Sequence, residues 1–187
     1  RIAGRRIAIV HDMAGVTRDR IAAEVEWAGQ PFTLVDTGGI GLIPGEKSDD
    51  IIATATVDQV NVAIEAAETI IFVVNLQEGI VPLDEEVAQY LHQSGKPTLL
   101  AINKADNPKS EENAVEFASL GFEKMFPVSA LHDRGTDELM MQALEHLPQV
   151  AESSPVETLE DSELKLAFVG RPNVGKSSII NALTESE

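Results

Sequence analysis

Two short runs constrain the fold more than anything else in this chain. TIIFVVN at Thr69–Asn75 and PTLLAIN at Pro97–Asn103 are apolar at almost every position and rich in branched residues. A strand with one wet face alternates; a strand apolar on both faces must be covered on both, as in a parallel sheet. Between the two runs, LDEEVAQYLHQSG has acids in its first turn and Gly95 just past its end, the marks of a helix. Strand, helix and strand in that order predict an α/β class with helices layered on both sides of a mostly parallel sheet.

The rest of the chain extends this pattern. IAAEVEW puts Ile21, Ala23, Val25 and Trp27 on one side of a half-buried strand, and Trp27 is read as core. The turn AGQP and then FTLVDTGG make the pair a hairpin that ends on a glycine-rich loop. A helix is predicted over Asp49–Glu68, and two more over SEENAVEFASLG and GTDELMMQALEHLP. Ser110 is expected to cap the first of these, and Thr136 or Asp137 the second. KMFPVSA reads as a strand between them. Residues 148–163, PQVAESSPVETLEDSE, are acidic and proline-bearing with no apolar period, and read as a linker before a further strand at LKLAFVG.

A chain of 187 residues holds one good-sized α/β core, or one domain and a piece of another. A net charge of −17 argues against direct binding to a nucleic-acid backbone by this segment. No apolar run approaches the roughly 20 residues needed to cross a bilayer. The absence of cysteine excludes disulfides and thiolate metal sites, which fits a reducing cytoplasm. His11, His92, His132 and His146 do not cluster at ligand spacing and read as surface residues. A start without Met and an end inside a helical pattern suggest a fragment of something longer.

In an open parallel sheet, ligands sit beyond the carboxyl ends of the strands, so the loops there are read together. GRPNVGKS satisfies G-x-x-x-x-G-K-[ST], with a strand before it and a helix after. Gly170 and Gly175 let the backbone wrap closely so that its N–H groups point at phosphate, and Asn173, Val174, Gly175 and Ser178 are candidate nucleotide-binding residues with them. Lys176 brings a cation and Ser177 a hydroxyl for Mg²⁺. DTGG, Asp36–Gly39, puts a carboxylate at a strand end for Mg²⁺ and a glycine N–H, Gly39, for a terminal phosphate; alone, it would also fit an ordinary tight turn. NKAD, Asn103–Asp106, is more telling. Asp106 can accept two hydrogen bonds from guanine, a pair that adenine does not offer. The stem of Lys104 can cover the base, and Asn103 can tie neighbouring loops together. SAL, Ser129–Leu131 with Ala130 between, can bring backbone to the guanine carbonyl. In GVTRDR, Thr17 is the candidate to complete the Mg²⁺ shell, while Arg18 and Arg20 read equally well as solvated residues.

Taken together, GVTRDR, DTGG, NKAD, SAL and GRPNVGKSS resemble the guanine-nucleotide loops of the Era/TrmE-like translation-associated GTPases. The similarity is greatest to the bacterial members that carry two G domains joined by an acidic linker, and it covers almost the whole chain. It implies a three-layer P-loop NTPase G domain that binds GTP or GDP with Mg²⁺ and hydrolyses GTP in the cytoplasm. It also implies a role in assembly of the large ribosomal subunit. Lys176, Thr17 and Gly39 are the implied catalytic residues, and the resemblance suggests a potassium ion held partly by Asn173. HDMAG and VNLQEG depart from the usual pattern beside the nucleotide loops. Ile40 stands where Ras-like enzymes place a water-orienting glutamine.

On this reading, residues 1–147 are a first G domain without its own first strand and phosphate loop, and 148–163 are the linker. Residues 164–187 are then the first strand, loop and helix of a second G domain, able to dock into the first. Two other classes remain: an inert fragment or partner-binding module with an incomplete nucleotide site, and an adenine-specific P-loop enzyme, which NKAD disfavours.

Overall fold

In the computed structural model, the structure describes residues 7–8, 20–27, 29–37, 61–108, 112–147 and 164–184. Thr17, Gly39, Ile40, the linker and most of the helix expected over Asp49–Glu68 lie outside these residues.

The strands are β1 (Ile7–Ala8), β2 (Arg20–Trp27), β3 (Gln30–Thr37), β4 (Thr69–Asn75), β5 (Thr98–Asn103), β6 (Met125–Pro127) and β7 (Lys165–Val169). The helices are α1, described over 61–66, α2 (Pro82–Ser94), α3 (Thr136–Glu145) and α4 (Lys176–Thr184), with a 3-10 helix at Glu112–Leu120. The sheet runs β1-β2-β3-β7-β4-β5-β6. β3, β7, β4, β5 and β6 are mutually parallel, and the hairpin strand β2 and short β1 pair antiparallel at one edge.

The strand nearest the end of the chain therefore sits at the centre of the sheet. Leu166 pairs with Leu34 of β3 and with Thr69 of β4; Phe168 pairs with Asp36 and Ile71. Its alternation serves two cores at once. On one face Leu166 and Phe168 pack with Leu34, Ile71 and Val73, under Leu139 and Met140 of α3 and Ile179, Ile180 and Leu183 of α4. On the other, Ala167 and Val169 pack with Ile70, Phe72 and Ile102, under Ile64 of α1, Val87 and Leu91 of α2, and Phe117. Every residue of β4 is buried, as the unbroken apolar run demands.

Local signals explain the elements, with two differences from expectation. α2 has Pro82 at its start and closes on Gly95 in the left-handed conformation, its N–H on the His92 carbonyl. The segment expected as an α-helix from Ser110 is a 3-10 helix over 112–120. Its buried residues Ala114, Phe117 and Leu120 recur every third position, so the tighter 3.0-residue turn lines them up where a 3.6-residue turn would fan them out. In α3 neither Thr136 nor Asp137 is the cap. Gly135, left-handed at φ 72°, precedes the helix, and the Thr136 hydroxyl donates back to Asp133 at 2.8 Å. Trp27 is buried as read, and His92, His132 and His146 are exposed.

Gly170, where β7 gives way to the loop before α4, has φ 154° and lies against β4; a Cβ there would fall on the Val73 carbonyl oxygen. Gly170→Ala is expected to cost about 1–3 kcal/mol from backbone strain alone, before the clash is counted. The drop in denaturant midpoint at unchanged slope would measure it.

Candidate functional site

Three strand ends bring the sequence-singled loops to one edge of the sheet. β7 leads into Gly170–Gly175, β3 ends on Asp36 and Thr37, and β5 ends on Asn103. They enclose a cleft of about 750 Å³, with Asp36, Asn103, Lys104, Asp106, Ala130 and Leu131 on its walls. Asn173, Gly175, Lys176, Ser177 and Ser178 line it from the loop and the start of α4. Among the sequence candidates, Gly170, Val174 and Ser129 stand behind this wall. Val174 is fully buried in the core and Ser129 is buried beneath Asp106. Of DTGG, Gly38 and Gly39 lie outside the described residues, as does Thr17.

At one end of the cleft, the loop closes on its own lysine. Lys176 Nζ donates to the carbonyls of Gly170 at 2.9 Å and Arg171 at 3.0 Å. Burial pushes its ammonium below the usual lysine range, against the pull of the Asp36 carboxylate. Such a poorly hydrated cation gains much from an anionic ligand. Beside it, the Ser177 hydroxyl donates to Asp36 Oδ2 at 2.6 Å. Asp36 is 5% exposed, and its Oδ1 is buried with no hydrogen-bond partner among the described residues. A buried carboxylate oxygen without a donor, next to a hydroxyl, is a donor set suited to a hard divalent cation.

At the other end, Asp106 is held by Ser129, whose hydroxyl donates to Oδ1 at 2.6 Å, and by Gln77, whose amide donates to Oδ2 at 3.3 Å. Each carboxylate oxygen still has a lone pair for a ligand donor. Lys104, at φ 68°, is half-buried on the wall. Leu131 is 80% exposed.

Asn103 joins the two ends. Its Nδ2 donates to the Val174 carbonyl of the loop at 2.8 Å, and its Oδ1 accepts from the Ala130 N–H at 3.2 Å. Gly175, at φ 96°, is what allows this approach, since a Cβ there would fall on Asn103 Nδ2. Asn173 also takes a left-handed backbone, φ 63°, which Asn tolerates better than most residues.

Sequence reasoning missed Gln77 and Pro172 on the cleft wall, and the anchoring of Arg171. The Arg171 guanidinium meets Glu78 at 2.7 Å and Asp84 at 3.2 Å. Its hydrogen bond holds Glu78 below the usual carboxylate range, while burial raises Asp84 despite the Val81 N–H and the arginine. The signal was present: residues following β4 emerge at the same sheet edge as the other loops.

A family model described as 50S ribosome-binding GTPase matches residues 1–104 and 165–187. GTPase Der from Aquifex aeolicus (strain VF5) is 48% identical over 187 residues; the match covers 100% of this chain and 41% of that protein. The chain thus spans about two fifths of the length of the curated relatives it matches. Two crystal structures of Era superpose with a TM-score of 0.63 at 26% identity. One, from Aquifex aeolicus and bound to GDP and AlF4⁻, covers 83% of this chain and 52% of its own. The other, in complex with MgGDPNP and a piece of 16S ribosomal RNA, covers 81% of this chain and 51% of its own.

Proposed function

Because this chain belongs to the family of 50S ribosome-binding GTPases, we propose that its cleft binds a guanine nucleotide with Mg²⁺ and that the protein hydrolyses GTP to GDP and phosphate. The observation that carries this reading is that Lys176 and Asp106 line a single cleft, tied together by Asn103. The distal phosphates would lie against Lys176 and the amides of Asn173–Ser178, and the base against Asp106, Lys104 and Ala130.

The unpartnered Oδ1 of Asp36 and the hydroxyl of Ser177 would hold Mg²⁺. The ion, when bound, neutralises charge on the phosphate oxygens. Asn173 offers a neutral carboxamide on the cleft wall, the kind of donor that suits a monovalent cation such as K⁺. Thr17 and Gly39 would complete the terminal-phosphate end. With Ile40 unable to orient water, unassisted turnover is expected on the order of 10⁻⁴ per second, faster in potassium than in sodium.

The segment from β7 to α4 supplies Lys176 and Ser177 to the phosphate end of the cleft, where Asp36 joins them, and Asn103, Asp106 and Ala130 line the other end. On this reading one nucleotide site is assembled from the first domain and the docked terminal segment. The family description and the 16S RNA complex of the Era structure support a role on the ribosome, for which we propose assembly of the large subunit. A net charge of −17 argues against direct binding of an RNA backbone by this segment. No helix among the described residues is long and apolar enough to cross a membrane, and the protein is proposed to act in the cytoplasm.

Titration calorimetry with GDP, GTP and ATP tests the reading. GDP and GTP should bind and ATP should not. Lys176→Ala should weaken GDP about ten- to hundredfold, the loss of one charge-assisted phosphate contact. A folded chain that ignores guanine nucleotides, or prefers ATP, would refute it.

A further inference from the structure

Resting on the guanine reading, we propose that Gln77 is a further specificity-determining residue: by pinning Asp106 Oδ2, it fixes the carboxylate in the plane needed to accept both guanine donors. Gln77 lies on the wall of the cleft, exposed, with its side-chain amide donating to Asp106 at 3.3 Å.

The geometry that places it is built from its neighbours. The Gln77 N–H donates to Asn75 Oδ1 at 3.0 Å, and the Asn75 amide donates to Glu78. Glu78 pairs with Arg171, which pairs in turn with the buried Asp84 at the start of α2. The Leu76 N–H donates to the Asn103 carbonyl at 2.9 Å, so the turn after β4 is stitched to the strand end that carries Asp106. Gln77 therefore projects from an anchored turn.

A carboxylate rotates easily about its terminal torsion, which has a broad, two-fold profile. Ser129 alone fixes one oxygen of Asp106 and leaves the plane free to turn. A second donor on the other oxygen fixes the plane. Guanine needs both oxygens, one for N1–H and one for the exocyclic amine. Hypoxanthine, which lacks that amine, needs only one. Loss of the second pin should therefore hurt guanine more than hypoxanthine.

The test compares GDP with IDP on the 187-residue chain and on Gln77→Met, which keeps the side-chain length and removes the donor. The parent should prefer GDP, and in Gln77→Met the GDP-to-IDP affinity ratio should fall by about three- to tenfold, the worth of one modest hydrogen bond. Gln77→Glu, which cannot donate and adds a like charge, should lower the ratio at least as much. Because the side chain is exposed, the melting temperature should move little. If the parent discriminates and the variants keep its ratio, the inference fails while the guanine reading stands; equal weakening of both nucleotides overturns it in the same way. A parent that binds neither nucleotide overturns both.

Discussion

A chain ending at Leu147 is expected to lose cooperative unfolding altogether. Among the described residues, β7 alone joins the hairpin strand β3 to β4, so its removal cuts the sheet in two. The ladder that goes with it includes the Thr33 N–H on the Leu164 carbonyl at 2.7 Å and the Glu68 N–H on the Lys165 carbonyl at 2.9 Å. The core loses Leu166, Phe168, Ile179, Ile180 and Leu183, each at most 6% exposed. At about 1.5–3 kcal/mol per fully buried side chain, the loss of these five comes to about 8–15 kcal/mol. Single domains are stable by only about 5–15 kcal/mol. Circular dichroism against temperature should therefore show no sigmoidal transition in the truncated chain. A synthetic peptide of residues 164–187 should restore one, along with GDP binding. A truncated chain that melts cooperatively on its own would mean that the first 147 residues form a self-sufficient domain, and the shared cleft would lose its basis.

The fold was legible where hydrophobicity is two-sided. TIIFVVN and PTLLAIN match β4 and β5 almost residue for residue, because no alternation leaves no choice of wet face. Hairpin and helix boundaries were legible where glycine punctuates, at Gly29 and Gly95, whereas Pro82 at the start of α2 was not read from the sequence. Sequence could not distinguish a 3-10 from an α-helix at 112–120, since apolar spacing of three fits both templates over so short a span. Nor could it rank Gly135 against Thr136 as a cap, because a left-handed glycine satisfies the chain geometry without any side-chain bond.

The loops were legible as motifs because their residue types and spacing are distinctive, and the structure brings Asp36, Asn103, Asp106 and Lys176 to one cleft. Asn103, with its bonds to Val174 and Ala130, stands where the motif put it. What motifs do not encode is the support behind them. Gln77, Arg171 and Asp84 matter through contacts with residues about 30 to 90 positions away, and no local pattern announces these. The departure of VNLQEG from the usual pattern was visible, yet its meaning depends on where the turn after β4 falls relative to Asp106.

Asp106→Asn is expected to lower GDP affinity by about 10²- to 10⁴-fold. The carboxylate can accept from both guanine donors, and each hydrogen bond to a charged group is worth about 1.5–3 kcal/mol. An asparagine offers one acceptor and turns an N–H₂ donor toward the second donor on the base, so one bond is kept and the other is replaced by a donor–donor opposition. Xanthine carries a carbonyl where guanine carries the amine, which reverses the mismatch; XDP should bind the variant better than GDP does. The fold should hardly notice. Asp106 is half-buried, and the asparagine oxygen can still accept from the Ser129 hydroxyl that now reaches Oδ1 at 2.6 Å. Calorimetry with GDP and XDP, beside a melting curve for each protein, separates the effects. An exchange of ligand preference at unchanged melting temperature is the predicted result. Undiminished GDP binding by the variant would place the base elsewhere, and the cleft between Lys176 and Asp106 would then need another ligand.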